Sequence, residues 1–390
     1  MKPMQAALGR KARIPAIFRR RGDPLTVSEN ERRVLEIVRR SGVTSRADLT
    51  RATNLAPQSI SRLIEALMKR GLVEFGEKRI RGRGHPGLAV RLTRSAVYAV
   101  GLSIRTEGAD LAVVAFDGQV LAERTLSPSS MAVTDVIAEA QAQLDDVFTV
   151  LDLDRRRLFG FGLAMSGFFT VEAGRMNPPD PLAHWSVTDL EQTFMQAMDL
   201  PVWLENDGNA SAIGESLCGV GLTHPSFAYL YFTYGLGGGV VLDGSLVRGA
   251  FGNAGEFSAM LSPETHARRP TLESLRRLIC EHGVEVVSIA DLQARFDPDW
   301  PGVSVWLDRV KEPLSDILSA ISGVIDPSAI VFGGQIPRPL AERLIAGVQF
   351  HNRARRGETR PTPALLVSAV RGNAAAIGAA SMPLKYAFFQ

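Results

Sequence analysis

Cysteine is nearly absent from this chain. Cys218 and Cys280 are the only two in 390 residues, which excludes a disulfide framework or a multi-thiolate metal site. Long apolar runs are missing too: nothing approaches the roughly 18 uninterrupted apolar residues of a membrane helix. The basic start MKPMQAALGRKARIPAIFRRRG leads into no apolar segment of the kind a secretory signal carries. A cytoplasmic setting with no membrane partner is therefore expected. What remains, 45% hydrophobic and 22% charged, is ordinary globular composition at a length that suits two or three domains.

A net charge of +3 conceals an asymmetry. Residues 1–94 hold 22 Lys and Arg against 8 Asp and Glu, a net of +14, and the remaining 296 residues hold 22 against 33, a net of −11. A polyanion is the natural partner of the first segment, although a solvated charged face would also carry such charge.

The local signals in that segment point the same way. Residues 1–25 read as a flexible basic arm, with Arg19, Arg20 and Arg21 in a row. Helical periodicity begins after Ser28, with Val34, Leu35 and Val38 on one face. Ser45, with Asp48 three residues on, starts a short helix from Arg46 to Thr53 that is expected to bury Ala47, Leu49 and Ala52. Asn54 tolerates the left-handed turn that follows. Pro57 opens a third helix, whose stripe of Ile60, Leu63, Ile64 and Leu67 faces inward. Gln58, Ser59, Ser61 and Arg62 then lie near its start and largely outward, where a recognition helix reads base edges in the major groove. Two strand-like runs, 72–75 and 88–92, flank a basic, glycine-rich wing. Its Arg81 and Arg83 are expected to reach DNA, since close-set glycines let a guanidinium enter a narrow minor groove. A protein-interaction module with a plain linker is the competing reading of this helical pattern.

From Ser95 the pattern becomes α/β, with strand runs at 96–104, 111–116, 120–126 and 158–165 and a helix near 134–150. A related succession starts at Phe227, and this loose duplication implies two similar lobes around a cleft. Four stretches occur in order: Glu205-Asn206-Asp207-Gly208-Asn209-Ala210, Gly235-Leu236-Gly237-Gly238-Gly239, Gly252-Asn253-Ala254-Gly255-Glu256, and Asp326-Pro327-Ser328-Ala329-Ile330-Val331-Phe332-Gly333-Gly334. With these motifs the chain resembles the ROK family of sugar kinases and repressors over about residues 95–385, and the preceding winged helix resembles its repressor branch. The resemblance implies a multi-domain protein: an N-terminal winged helix-turn-helix, then an α/β actin-like ATPase domain built as a ribonuclease H-like duplicate. The domains expected are the arm 1–25, the winged helix-turn-helix 26–94, and the ROK domain 95–390, which binds an effector and oligomerises.

The same resemblance places Asn177, Asn206, Asp207, Glu256 and Glu273 at sugar-binding positions, with Asp207 at the catalytic-base position. Departures from the family argue against catalysis. Ser103-Ile104-Arg105-Thr106-Glu107 stand where family kinases carry Asp-x-Gly-Gly-Thr, so the acid that supports the metal and both glycines are replaced, and Glu107 adds a charge that repels phosphate. Thr233-Tyr234 replace Gly-Thr in the second phosphate motif. Ala259 takes the place of the family's zinc-ligating His, and no cysteine lies within 261–279. Neither cofactor nor metal is expected, and Asp207 becomes a vestigial catalytic base. The reading is a sugar-responsive repressor whose partners are operator DNA, a carbohydrate effector and a second copy of itself, as a homodimer or homotetramer. An active sugar kinase with a DNA-binding appendage and a ligand-independent DNA-binding protein are the alternatives.

Overall fold

The computed structural model describes residues 19–20, 23–24, 27–76, 89–172, 175–186 and 188–389. Three helices open the N-terminal domain: Glu29–Ser41, Arg46–Thr53 and Pro57–Lys69. The first two begin at capping boxes, Ser28 with Glu31 and Ser45 with Asp48, in which each side chain satisfies the other's backbone N–H. Asn54 ends the second helix in the left-handed region at φ 57°. Strands Thr44–Ser45, Ala89–Leu92 and Val73–Gly76 form a three-stranded antiparallel sheet with Ala89–Leu92 in the middle.

One expected packing detail fails. Ala47 and Ala52 are exposed, and the short second helix buries Leu49 and Thr53 instead. Positions four apart share a helix face, and Thr53 tolerates burial because its hydroxyl donates to the Leu49 carbonyl at 2.7 Å.

Two five-stranded sheets with the same connectivity follow. The first runs Val202–Asn206, Leu158–Met165, Tyr98–Arg105, Gly108–Ala115, Val120–Leu126. The second runs Ala364–Val367, Ala329–Gly334, Phe227–Phe232, Leu236–Leu242, Ser245–Val247. In each, the first strand in sequence pairs antiparallel with the second and parallel with the fourth. Each closing parallel strand feeds a helix, Asp207–Cys218 in the first lobe and Ala374–Phe388 in the second. These equivalent helices cross each other between the lobes.

Small residues set that crossing. A Cβ on Gly214 would stand 3.1 Å from the Gly378 Cα, and one on Gly378 would run into the Ala210 carbonyl. Gly101 and Gly162 of the first sheet similarly leave no room for a Cβ beside Ala376, Ala379 and Ala380. The Ala374–Phe388 helix is thus packed backbone against backbone on two sides.

The winged domain is not a separate globule. Val34, Leu35, Val38, Ile60, Ile64 and Leu67 belong to one continuous apolar core with Phe116, Phe159, Leu217, Phe388 and Phe389 of the larger domain. Phe389 stacks on Phe116 with centroids 5.3 Å apart. Among the described residues no helix is long and apolar enough to cross a membrane.

Candidate functional site

The face presented by the third helix matches the sequence expectation in its exposure. Gln58, Ser59 and Arg62 are exposed and Ser61 is half-buried, while Ile60, Ile64 and Leu67 are fully buried behind them. Pro57 occupies the first turn, and the helix carries no side-chain cap at its start. In the sheet flanking it, Arg91 of the central strand is paired to Glu74 at 2.8 Å. Arg81 and Arg83 lie outside the described residues.

The larger domain places Asn206 and Asp207 at the carboxyl end of the strand Val202–Asn206, beside that of the parallel strand Leu158–Met165, the usual position for ligand groups in an open α/β sheet. Asn206 caps the Asp207–Cys218 helix: its side-chain oxygen accepts from Gly208 N at 2.8 Å and Asn209 N at 3.3 Å. Its amide nitrogen donates to the Gly167 carbonyl at 2.6 Å. Asn206 therefore shapes the site from behind. Asp207, 4% exposed, accepts from the Ser166 hydroxyl and from Gly208 N at 2.9 Å. Burial raises its pKa, and those hydrogen bonds only partly oppose the rise.

Glu256 faces the same place. Burial and then the Asp207 charge raise its pKa, so the two carboxylates sense each other, although Glu256 as a residue is exposed. Its loop is pinned to the first lobe by Asn253, whose side chain accepts from Phe169 N at 2.8 Å and donates to Phe169 O at 2.9 Å. The hairpin it grips, Phe168–Phe169 with Met176–Asn177, carries Asn177 exposed opposite Phe168. Gly167 stands at φ 134° with its Cα so near this strand that a Cβ would lie 2.6 Å from the Asn177 carbonyl. Asn177, Asn206, Asp207 and Glu256 are thus linked through Gly167, Ser166 and Asn253.

Glu273 is differently committed. It sits in the first turn of helix Leu272–Glu281, and its oxygens accept from Arg276 at 2.7 and 2.9 Å and Arg277 at 2.7 Å. Burial works against its ionisation, but the two guanidiniums outweigh it and lower its pKa.

Sequence reasoning did not single out Ser166, or Asn253 as a clasp. Ser166 follows the strand Leu158–Met165 directly, so its place beside Asp207 was available from the parallel pairing of their two strands. Asn253 lay inside a quoted motif, but its partner Phe169 is 84 residues away and has no local signature.

At the same carboxyl edge of the first-lobe sheet, the Ser103–Glu107 turn is filled with charge. Arg105 donates to Asp110 through Nε at 2.7 Å, and Asp110 also accepts from Thr125 and from Asn373, each at 2.8 Å. Glu107 reaches the other lobe and accepts from Ile289 N at 3.0 Å, at the start of helix Ile289–Arg295. A cavity of about 430 Å³ remains, bordered by Arg105, Asp110, Thr125, Tyr231, Gln335 and Asn373. Ala259 is exposed, and Cys218 and Cys280 are half-buried single thiols; burial pushes Cys218 up to about 11.

The duplicated sheets, the crossing helices between them and the winged domain in front define an actin-like ATPase fold joined to a helix-turn-helix. Comparison with known proteins gives that class its family. Residues 99–268 match the ROK family and residues 27–74 match winged helix-turn-helix DNA-binding. The chain carries a ROK family domain behind an N-terminal winged helix-turn-helix.

It is 25% identical over 364 residues to an uncharacterized protein of Sinorhizobium fredii, covering 93% of this chain and 92% of that one. It is 26% identical over 235 residues to the xylose repressor of Bacillus subtilis, covering 59% of this chain and 60% of the repressor. Among solved structures, a ROK family transcriptional regulator described as a homologue of the E. coli MLC protein superposes with a TM-score of 0.67 at 20% identity. That match spans 91% of this chain and 96% of the regulator. A ROK family glucokinase from Streptomyces griseus, solved with glucose and AMPPNP, superposes at 0.59 with 19% identity over 73% of this chain and 98% of the kinase.

Proposed function

We propose that the protein is a transcriptional repressor of carbohydrate-related genes, whose kinase-like domain senses a sugar without phosphorylating it. The observation that carries this reading is the continuous core joining the winged helix-turn-helix to the domain that holds Asp207 and Glu256. In this reading Gln58, Ser59, Ser61 and Arg62 read base edges, while Arg81 and Arg83 hold the adjacent backbone or minor groove. Asn177, Asp207 and Glu256 supply donors and acceptors to a polyol, with Asn206 setting the helix start. Glu273 contributes only if its guanidiniums yield.

The domains divide at 25/26 and 94/95, and the larger one also pairs two copies, so that two winged helices meet two half-sites. Kinase chemistry is lost because Arg105 and Asp110 neutralise each other where the family supports a metal, and Glu107 is spent on a helix start. Phosphoryl transfer relies on electrostatic support for the moving group, and this turn offers little.

Xylose, which the relatives' names mention, is the first sugar to test, followed by a panel of pentoses and hexoses. Titration of labelled operator with and without each sugar is the experiment. A sugar that changes operator affinity supports the proposal; a chain that ignores duplex DNA at low salt refutes it.

A further inference from the structure

The carboxylate before the cleft residues has a single countercharge. Glu205 is the penultimate residue of the strand Val202–Asn206, just before Asp207, and it is 0% exposed. One oxygen accepts from Asn206 N and Asn209 Nδ2, both at 3.1 Å. The other lies 2.6 Å from Arg248 Nη2, as an ion contact without the alignment of a hydrogen bond. Burial raises the pKa of Glu205 and the Arg248 charge opposes that rise. Moving Arg248 away would leave a carboxylate in the interior without its countercharge, a state proteins strongly disfavour.

Arg248 belongs to the other lobe. It follows the strand Ser245–Val247, and its carbonyl accepts from Ala254 N at 3.2 Å, inside the loop that ends at Glu256. Its guanidinium also donates to the Tyr386 hydroxyl at 3.0 Å and lies 5.5 Å from that ring's centroid. Tyr386 sits in the last turn of the Ala374–Phe388 helix.

The residues after Tyr386 grip the winged domain. The Phe389 carbonyl accepts from Arg32 Nε at 2.8 Å, and the Phe389 ring lies 5.6 Å from the Arg39 guanidinium. Arg39 is itself buried, paired with Glu36 at 2.7 Å, and donates to the Leu217 carbonyl. Leu217 lies in the last turn of the helix that Asp207 begins, about 15 Å along its axis at 1.5 Å per residue. Two lines of contact therefore leave the cleft and converge on Arg39. The glycine crossing at Gly214 and Gly378 keeps both helices from absorbing a displacement by sliding or bending.

We infer that Arg248, held between Glu205 and Tyr386, is the positioning residue that ties the state of the cleft to Glu29–Ser41, the first helix of the winged domain. The coupling is a property of the contacts themselves; only the identity of its signal rests on the sugar-sensing proposal. A ligand that draws on Glu256 moves the loop that Arg248 anchors. Arg248 then carries Tyr386 and the chain end with it, or loses them.

The test uses the full chain and hydrogen exchange read by mass spectrometry. Arg248→Met is expected to speed exchange in residues 29–41 and 385–389 about tenfold or more. Tyr386→Phe, which keeps the ring and removes only the hydroxyl, is expected to speed it severalfold, and it decides the matter if Arg248→Met does not fold. The helix Val303–Val324, remote from this network, should exchange at its wild-type rate. Unchanged exchange in 29–41, or equal acceleration in 303–324, overturns the inference. D-xylose as a probe separates the two proposals. If it shifts wild-type operator affinity, the variants should bind it within about threefold and lose the shift; retention of the full shift also overturns the coupling. If D-xylose does not bind the wild type, sensing of that sugar fails, and the exchange result alone judges the coupling.

Discussion

The Ser166 hydroxyl donates to the Asp207 carboxylate from the end of the neighbouring parallel strand. With Gly208 N on the other oxygen, about two of the carboxylate's roughly four acceptor positions are filled. The others suit ligand hydroxyls.

Asp207→Ala or Glu256→Ala is accordingly expected to weaken sugar binding by about 1.5–3 kcal/mol, roughly ten- to hundredfold. Operator affinity without sugar should stay near wild type. Burial raises both pKa values, and Asp207 adds to the rise at Glu256, so acidification should protonate them at a higher pH than ordinary carboxylates. Sugar affinity should fall correspondingly early as pH drops. Calorimetric titration against pH measures both effects, and unchanged affinity in both variants would place the effector elsewhere.

Operator recognition divides by residue type. Gln58→Ala and Arg62→Ala should relax preference at particular base pairs by about 1–3 kcal/mol each. Arg81→Ala and Arg83→Ala should weaken all sequences alike and flatten the salt dependence by about one unit of slope each. Fluorescence anisotropy on a panel of mutated operators, at two salt concentrations, distinguishes these patterns.

No sugar phosphorylation is expected. A coupled assay with millimolar Mg-ATP over common hexoses and amino sugars should give no turnover, and a rate near one per second, ordinary for an enzyme, would contradict the assignment. The pair that fills the turn should be structural instead. Arg105→Ala would leave Asp110 with only Thr125 and Asn373 as donors, and breaking a buried pair typically costs about 3–5 kcal/mol. Denaturant unfolding should reveal that loss.

Lys385 gives the docking of the winged domain a pH dependence. It is 7% exposed, and burial lowers its pKa to about 8, with Glu36 partly opposing and Arg39, Arg40 and Arg32 adding to the fall. The unfolded chain keeps this proton until near 10.5, so between about 8 and 10.5 it binds more protons than the folded one. Stability from this group thus rises with pH across that window and is lost as pH falls through 8. At neutral pH the penalty is up to about 3 kcal/mol at 1.36 kcal/mol per unit. Lys385→Met should raise the melting temperature at pH 7 and reduce the difference from wild type at pH 10. Equal shifts at both values would exclude this origin.

Much of the winged domain was legible because its signals are local. Ser28, Ser45, Asn54 and Pro57 each act within four residues, and all four stand where their chemistry predicts. In the larger domain the strand runs and the duplication were readable, but the order of strands in the two sheets was not, since buried strands such as Phe227–Phe232 show no alternation. In the cleft, Asn206 and Asp207 were readable from one motif. The Asn253–Phe169 clasp, the Arg248–Tyr386 contact and the Arg32–Phe389 bond join residues 84, 138 and 357 positions apart, and nothing near either partner announces them.

The shared core beneath Val34, Leu35 and Val38 bears on how such proteins can be recombined. A winged helix hung on a flexible tether could be transplanted as a cassette, trading one operator for another. This one has Phe389 in its floor and Arg32 and Arg39 fastened to the far end of the chain. A chimaera joined at residue 94 would inherit apolar surface shaped for a partner it no longer has. New operator specificity is more readily reached by altering Gln58 to Arg62 in place, or by transplanting the C-terminal helix along with the head it serves.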